Sequence, residues 1–139
     1  MKINPYLGFN GTCEAAFNFY QKVLGGKIVM MMKCGESPLA ATMPKEMANS
    51  VMHARLEVNG NILMGGDCPA EHYKPSAGLT INIGVDDPKE AERLFAALSE
   101  NGKITMPIQE TFWAERFGMF TDQYGTPWMI NCEKSMAKA

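Results

Sequence analysis

The chain repeats a short stretch of its own sequence at a distance of 76 positions. Gly-Lys-Ile-Val-Met at 26–30 returns as Gly-Lys-Ile-Thr-Met at 102–106. The same spacing aligns further identical residues, namely Glu14 and Ala15 with Glu90 and Ala91, Phe19 with Phe95, and Gly8 with Gly84. Both copies stand in the same predicted order of elements, which is strand, helix, strand, long loop and hairpin. The chain is therefore interpreted as a duplicated βαβββ unit.

The duplication predicts the fold class. Each copy supplies one helix and four strands, so one face of each mixed sheet packs on its helix and the other faces curl around a shared cleft. The prediction is an α+β fold in a single domain over residues 1–139. Module 1 spans about 1–67, a linker rich in Pro and Gly about 68–78, and module 2 about 79–133. The tail at 134–139 is expected to fray.

Two segments have the apolar period of an amphipathic helix. The apolar stripe of the first consists of Ala16, Phe17, Tyr20, Val23 and Leu24, and that of the second consists of Ala91, Leu94, Phe95 and Leu98. Thr12 is the predicted N-cap of the first helix and Gly25 its stop. Asp87 is the predicted N-cap of the second helix, because proline and then glutamate follow in its first turn.

The Asn-Gly pair at 59–60 predicts a two-residue type I′ turn, which fixes the register of the hairpin around it. Val58 then opposes Asn61, and Arg55 opposes Met64. One face of this hairpin is apolar and is expected to pack on a helix, with Met52, Ala54, Leu56 and Val58. The other face mixes polar and apolar groups, with Val51, His53, Arg55 and Glu57. Such a mixed face suits a wet cleft.

The polar face of this hairpin has two interpretations. His53, Arg55 and Glu57 alternate along one strand, so their side chains share a face. Together they could bind an anionic or carbonyl-bearing ligand. They could equally pair with their neighbours and solvate the sheet. The sequence leaves both open.

A second hairpin closes the folded part of the chain. Apolar runs at 118–121 and 128–132 flank Asp-Gln-Tyr-Gly at 122–125, where Asp and Gly are turn residues. Just upstream, Phe112 and Trp113 stand among amide, carboxylate and guanidinium groups. This aromatic pair is either a buried packing corner or the wall of a ligand pocket.

Residues 35–50 are the longest stretch without a regular period. They include Pro38 and Pro44 together with Met43 and Met47. A loop of this length in a small domain is often functional. The stretch is interpreted either as a lid or as a plain connector.

Composition and charge argue against several classes of partner. The formal net charge is −2 and no run of like charges occurs, so nothing attracts the protein to nucleic acid or to an anionic membrane surface. No stretch approaches the ~20 apolar residues of a membrane span, and the N-terminal residues lack a signal-peptide pattern. The cysteines lie far apart, which predicts free thiols in a reducing cytoplasm and no zinc site.

Four stretches of the chain form a distinctive set. They are Asn-Pro-Tyr-Leu at 4–7, Cys-Glu-Ala-Ala-Phe-Asn-Phe-Tyr at 13–20, Gln-Glu-Thr-Phe-Trp-Ala at 109–114, and Tyr-Gly-Thr-Pro-Trp-Met-Ile-Asn at 124–131. Together they resemble the PhnB-like branch of the vicinal oxygen chelate superfamily. That superfamily is built from paired βαβββ modules and includes glyoxalase I, extradiol dioxygenases and bleomycin-resistance proteins. The resemblance covers nearly the whole chain.

The PhnB-like branch is often labelled a demethylubiquinone methyltransferase. The sequence gives that activity no support. A nucleotide-like methyl donor would need a glycine-rich loop after a first strand, followed by an acidic residue, and the chain has no such loop.

In metal-dependent members of the superfamily, the resemblance implies four His or Glu ligands from the first and last strands of each module. The matching positions here hold Pro5, Met64, Thr80 (or Ile81, one residue on) and Met129. Proline has no ligand atom, and a thioether binds Mg²⁺, Mn²⁺ or Zn²⁺ poorly. The prediction is therefore no metal and no other cofactor.

No residue is assigned as catalytic from the sequence. His53 is a weak candidate for a general base, provided that Glu57 or another carboxylate holds its ring. His72 is expected to be exposed in the linker. Cys13 lies at a helix start, where a thiolate is favoured, and a small core residue is the alternative.

Three functions are compatible with these patterns. The first is a metal-free protein that binds a small molecule in the cleft, as resistance proteins of the superfamily do. The residues predicted to line that cleft are Phe9, His53, Arg55, Met64, Asn82, Trp113, Phe117 and Met129. The second is a metal-dependent or His53-dependent lyase, isomerase or dioxygenase. The third is a structural or regulatory dimer in which Trp113 and Phe117 serve the interface. Because superfamily members commonly pair, a homodimer is predicted in each case.

Overall fold

A computed structural model describes residues 1–134, so most of the tail predicted to fray lies outside the described residues. The elements in chain order are β1 (Tyr6–Phe9), α1 (Cys13–Leu24), β2 (Lys27–Lys33), β3 (Val51–Val58), β4 (Asn61–Asp67), β5 (Ile81–Gly84), α2 (Pro88–Leu98), β6 (Lys103–Gln109), β7 (Ala114–Thr121) and β8 (Pro127–Glu133). Short 3₁₀ turns lie at Cys34–Glu36, Ala40–Thr42, Lys45–Met47 and Ala70–His72.

Within residues 1–134 the strands form two four-stranded mixed sheets. Their strand orders are β1-β4-β3-β2 and β5-β8-β7-β6. In each sheet the first strand runs parallel to the last, and the other neighbours are antiparallel. The α+β class and the two βαβββ modules are thus confirmed. The chain divides into two compact units between Lys74 and Pro75.

The repeated Gly-Lys-Ile-x-Met stretch begins with a glycine for the same steric reason in both units. A Cβ on Gly26 would lie 2.4 Å from the carbonyl oxygen of Glu57 near the end of β3. A Cβ on Gly102 would lie 2.4 Å from the carbonyl oxygen of Thr121 at the end of β7. In each unit the strand that follows the helix therefore enters the sheet only if the residue just before it has no side chain.

The helices bury their predicted stripes. In α1 the buried side chains are Cys13, Ala16, Phe17, Tyr20 and Val23, and in α2 they are Ala91, Leu94, Phe95 and Leu98. Helix α1 ends at Gly25, whose φ of 75° suits glycine and whose N–H donates to the carbonyl of Gln21 at 3.0 Å. At the start of α2, the Asp87 side chain accepts a hydrogen bond from the Lys89 N–H at 3.0 Å, as predicted.

The prediction that Thr12 caps α1 is wrong, because another side chain is the acceptor. The Thr12 side chain makes no capping hydrogen bond. Instead, Asp67 at the end of β4 accepts hydrogen bonds from the Cys13 N–H at 3.0 Å and from the Val51 N–H at 2.8 Å. One carboxylate thus joins a helix start and the start of β3 to the last residue of the hairpin.

The first hairpin has the predicted register. Asn59 and Gly60 both have positive φ, 50° and 84°, as a type I′ turn requires. Arg55 pairs with Met64 across the two strands, and Val58 pairs with Asn61. His53, Arg55 and Glu57 are therefore turned away from α1, as the sequence indicated, whereas Val51, which was predicted on the same face, is fully buried.

The closing hairpin is organised by a buried carboxylate. Asp122 is 4% exposed. Its oxygens accept hydrogen bonds from the backbone N–H groups of Tyr124 at 2.8 Å and Thr126 at 3.0 Å, and from the Trp128 indole N–H at 2.8 Å. The conspicuous Asp-Gln-Tyr-Gly-Thr-Pro-Trp stretch is thus accounted for by the turn and the core that it fixes.

Candidate functional site

The first unit presents an open sheet face with a polar strip. Tyr6, His53, Arg55 and Met64 are exposed or half-buried, whereas Ala54 and Leu56, which alternate with the polar residues of β3, are fully buried. Tyr6 pairs directly with Met64 across β1 and β4, and Arg55 pairs with Met64 from the other side. The strip therefore runs across three neighbouring strands.

Tyr6 forms one wall of this strip. Its hydroxyl donates to the carbonyl of Met52 at 3.2 Å, and its ring stacks on His53 with centroids 5.8 Å apart. A Cβ on Gly66 would lie 2.6 Å from the Tyr6 hydroxyl oxygen, so the ring takes the space that glycine leaves. Burial raises the pKa of the Tyr6 hydroxyl, and Cys13, Cys68 and Asp67 add to that shift.

Within the strip, Arg55 has a hydrogen-bond donor that lacks an acceptor in the described part of the chain. Its Nε is buried and has no hydrogen-bond partner among residues 1–134. In the same part of the chain the guanidinium forms no ion pair, although Glu57 is two residues away. The interpretation that these side chains pair with one another is therefore not what the structure shows. A buried N–H without an acceptor costs about 1–3 kcal/mol.

His53 is held by an aromatic ring and not by a carboxylate. Its imidazole stacks on Tyr6, and no hydrogen bond to it occurs within residues 1–134. A general base needs an orienting partner within hydrogen-bond reach. His53 has the Tyr6 ring as a stacking contact, and this ring does not serve as that hydrogen-bond partner.

The second unit has the corresponding open face on β5, β8 and β7. Met129 pairs with Asn82 on one side and with Met119 on the other. Asn82 is exposed and Met129 is half-buried. The two units correspond here, because each has a residue pair on its first and last strands. The pair is Tyr6 and Met64 in the first unit, and Asn82 and Met129 in the second.

An aromatic cluster stands at the start of β7. The ring centroids of Phe112 and Trp113 are 4.8 Å apart, and those of Trp113 and Phe117 are 5.2 Å apart. Phe112 is 89% exposed, whereas Phe117 is 8% exposed. The cluster therefore leads from solvent into the open face of the second unit, and it is not a closed packing corner.

Phe9 is a correction to the predicted lining. Its side chain is fully buried, and its ring packs edge-on against Phe17 of α1 with centroids 6.1 Å apart. Residues of β1 alternate between faces, so Phe9 points to the helix while Tyr6 points to the open face. Tyr6 replaces it as the aromatic residue of the site, and the alternation along β1 was the signal that could have identified it.

The comparisons with known proteins agree on one family. The family model described as 3-demethylubiquinone-9 3-methyltransferase matches residues 1–131. Protein YjdN of Escherichia coli (strain K12) is 37% identical, over 96% of this chain and 97% of its own length. The crystal structure of protein PA1353 from Pseudomonas aeruginosa is 46% identical with a TM-score of 0.88, over 96% of this chain and 98% of that one.

A third relative carries the name of the branch. It is a PhnB protein from Bacillus cereus, also described as a 3-demethylubiquinone-9 3-methyltransferase, and it is 25% identical with a TM-score of 0.80. The alignment covers 95% of this chain and 99% of that chain. The chain belongs to the PhnB-like family, and its fold is the one that the resemblance to the vicinal oxygen chelate superfamily implies. The resemblance drawn from the sequence motifs is thereby confirmed.

The metal positions of the superfamily do not suit a metal in this PhnB-like protein. Pro5 and Thr80, the residues matched from sequence, stand just before β1 and β5. The side chains beside the two methionines are Tyr6 and Asn82. Phenol, amide and thioether groups without a carboxylate or imidazole are a poor donor set for Mg²⁺, Mn²⁺ or Zn²⁺. Nowhere in residues 1–134 do three His, Cys, Asp or Glu residues group as metal ligands.

The cysteines of the PhnB-like chain are not arranged as nucleophiles. Burial raises the pKa of the Cys13 thiol to about 12, and the neighbouring Asp67 and Glu14 carboxylates add to the shift. Of the two interpretations of Cys13, the structure supports the small core residue, because its side chain is fully buried and Asp67 already occupies that helix terminus. Burial also raises the pKa of Cys34. All four cysteines are free.

Two further predictions concern exposed segments. His72 is exposed in a 3₁₀ turn, as expected of the linker. Residues 34–50 fold into three 3₁₀ turns that are tied to one another by backbone hydrogen bonds, including Gly35 N–H to Ala48 carbonyl at 2.9 Å. No helix within residues 1–134 is long and apolar enough to cross a membrane.

Proposed function

We propose that this PhnB-like protein binds a small molecule without a metal, and that the ligand carries an oxyanion which pairs with Arg55. The supporting observation is the buried Arg55 Nε, which has no acceptor within residues 1–134. A carboxylate or a phosphonate can accept two parallel hydrogen bonds from a guanidinium, one of them from Nε. Such a ligand would remove the cost of the unpaired donor.

The neighbours of Arg55 suit the rest of such a ligand. Tyr6 and His53 form a stacked aromatic wall, and Met64 lies directly beside Arg55. A thioether adapts to the shape of an apolar group. Sites of this kind combine a mostly apolar lining with a few polar groups that fix orientation. The proposed ligand is therefore a small anion with an apolar or planar body.

The remaining candidates for the lining belong to the second unit. They are Asn82, Met129, Trp113 and Phe117. All of them lie on its open face or in the aromatic cluster that leads to it. We propose that they line a ligand-binding face of the second unit, that the protein acts as a homodimer, and that it works in the cytoplasm. The last proposal is supported by four free cysteines, which a reducing compartment preserves.

The test combines a ligand screen with a matched pair of arginine variants. Arg55→Met removes the charge and keeps the length of the side chain. Arg93→Met is the control, because Arg93 is exposed on α2 and pairs with Glu90. Small carboxylates and phosphonates that raise the melting temperature of the wild type should lose affinity by about tenfold or more in Arg55→Met. They should bind Arg93→Met unchanged.

The same variants separate a binding role from a structural role. If the Arg55 Nε is unpaired in the free protein, Arg55→Met keeps the free energy of unfolding or raises it by about 1 kcal/mol. A loss of more than about 2 kcal/mol would mean that Arg55 supports the fold. Elemental mass spectrometry on protein purified without chelator should find substoichiometric metal. A tightly held metal that survives dialysis would overturn the metal-free proposal.

A further inference from the structure

The second unit contains a cavity on the open side of β5 and β8. Its volume is about 150 Å³, and its wall consists of Asn82, Gly84, Val85, Asp86, Asn131 and Glu133. On β8 the wall residues Asn131 and Glu133 alternate with the buried side chains of Trp128, Ile130 and Cys132. Two of the wall residues carry a carboxylate, and no wall residue carries a positive charge.

The side-chain oxygen of Asn131, a residue of the cavity wall, is an acceptor that receives no hydrogen bond within residues 1–134. Its Nδ2 donates to the Glu133 Oε1 at 3.3 Å. Because a carboxylate oxygen only accepts, this contact fixes which way the amide is turned. The Asn131 Oδ1 is then left buried, with no hydrogen-bond partner among residues 1–134. The wall therefore lacks a hydrogen-bond donor at a defined atom.

Gly84 leaves part of the space open. It pairs with Asn131 across β5 and β8. A Cβ built on Gly84 would meet nothing nearer than 4.0 Å, where the Asn131 carbonyl oxygen and the Asn82 Nδ2 lie. The glycine is thus not required by a close backbone contact. Its missing side chain instead leaves space in the cavity between the Asn131 backbone and the Asn82 amide.

We infer that this cavity is a binding site for the ammonium group of a small primary amine. An alkylammonium offers three N–H donors and a positive charge. It can donate to the Asn131 Oδ1 and to the Glu133 carboxylate together, and charge-assisted hydrogen bonds of this type are the strong ones. A carboxylate or phosphonate would meet like charge here. The cavity shares Asn82 with the lining proposed above for the second unit, but it selects a cation, so it does not depend on the pairing of an oxyanion with Arg55.

The probe is propylammonium, titrated into ¹⁵N-labelled full-length protein and followed through the side-chain amide signals of Asn82 and Asn131. Propionate and 1-propanol are the controls, because they have a similar size with a negative charge or none. Propylammonium should shift both amide signals saturably. The two controls should leave these signals in place.

Three variants test the assignment of atoms. Asn131→Leu removes the acceptor at similar volume, Glu133→Gln removes the charge, and Gly84→Val fills the space. Each should weaken propylammonium binding by about tenfold or more, whereas Arg55→Met should leave it unchanged. Gly84 has no positive φ, and a Cβ there would meet nothing nearer than 4.0 Å, so the backbone tolerates a side chain at this position. The melting temperature of Gly84→Val shows whether the variant stays folded.

The outcomes that would overturn the inference are specific. One is a wild-type protein whose Asn82 and Asn131 signals do not move with propylammonium. Another is equal binding of propionate or 1-propanol. A third is full affinity in the folded Asn131→Leu and Gly84→Val variants. If Arg55→Met loses oxyanion binding and keeps amine binding, the two sites bind independently of each other.

Discussion

Buried polar atoms in this protein fall into two groups. Asp122, Asp67 and Thr126 have their side-chain or backbone groups engaged in hydrogen bonds inside their own unit. Arg55 Nε and Asn131 Oδ1 are buried and have no such partner within residues 1–134. Folded proteins leave few groups of this kind. Both unpaired atoms belong to side chains on the open faces of the sheets, which is why the two proposals are built on them.

At the residue scale, Asp122 is expected to hold the closing hairpin together. Asp122→Asn should lower the free energy of unfolding by about 2–3 kcal/mol. An amide can still accept from the backbone N–H groups of Tyr124 and Thr126, but its NH₂ group then faces the Trp128 indole N–H. Urea unfolding followed by Trp fluorescence measures the loss.

The control for this prediction is the next residue of the same turn. Gln123 is exposed, and its side chain makes only a long contact of 3.5 Å with the Glu100 carbonyl. Gln123→Asn should change the free energy of unfolding by less than about 0.5 kcal/mol. Equal effects of the two variants would show that the turn does not depend on the buried carboxylate.

At the element scale, the local patterns predicted most of the fold. The Asn-Gly turn fixed the register of β3 against β4 because only a left-handed pair of residues fits that turn, and Arg55 accordingly faces Met64. The repeat predicted both modules because each must bury one helix on one sheet.

The features that the sequence did not reveal depend on contacts between distant residues. Asp67 lies 54 positions after Cys13, whose N–H donates to it, and no local pattern relates the two. Tyr6 was passed over because Phe9 is equally aromatic and only the strand bounds decide which one faces the helix. The unpaired Arg55 Nε is likewise a property of the packed structure, because the residue type alone predicts a partner.

The start of α1 offers a test at this scale. Asp67→Ala leaves the N–H groups of Cys13 and Val51 unpaired and removes a carboxylate from a helix N-terminus. The free energy of unfolding should fall by about 1–3 kcal/mol. Thr12→Ala should change it by less than about 0.5 kcal/mol, because the Thr12 side chain makes no capping bond. Chemical denaturation of the two variants compares them directly, and a larger effect of Thr12→Ala would restore the sequence-based assignment.

For the whole molecule, the buried Cys13 thiol predicts how stability depends on pH. The pKa of Cys13 is raised from 9.0 to about 12 on folding, so the unfolded chain loses this proton first as the pH rises. Stability linked to this thiol is fully present below pH 9.0 and is lost progressively up to about 12. The loss should approach about 1.4 kcal/mol per pH unit within this window.

The comparison that isolates this effect is Cys13→Ala. Its free energy of unfolding should fall less steeply than that of the wild type between pH 9 and 11, by about 1.4 kcal/mol per pH unit. Denaturant titrations at several pH values measure both slopes. Parallel slopes would mean that the folded protein ionises Cys13 as easily as the unfolded chain does.

The aromatic cluster has two candidate roles at the scale of the whole molecule, which are ligand binding and the subunit interface. Trp113 lies between the 89% exposed Phe112 and the buried Phe117, so it can serve a ligand or a second copy of the chain. We expect Trp113→Ala to weaken the binding of small-molecule ligands by about tenfold or more while the mass of the proposed homodimer is unchanged, because a buried aromatic contact contributes most where it excludes water. Light scattering after size exclusion gives the mass, and calorimetric titration gives the affinity.

Phe112→Ala is the matched control, since it removes the solvent end of the cluster and should leave ligand affinity within about twofold. A dimer that dissociates in Trp113→Ala, with ligand binding retained in the monomer, would assign the cluster to the subunit interface instead.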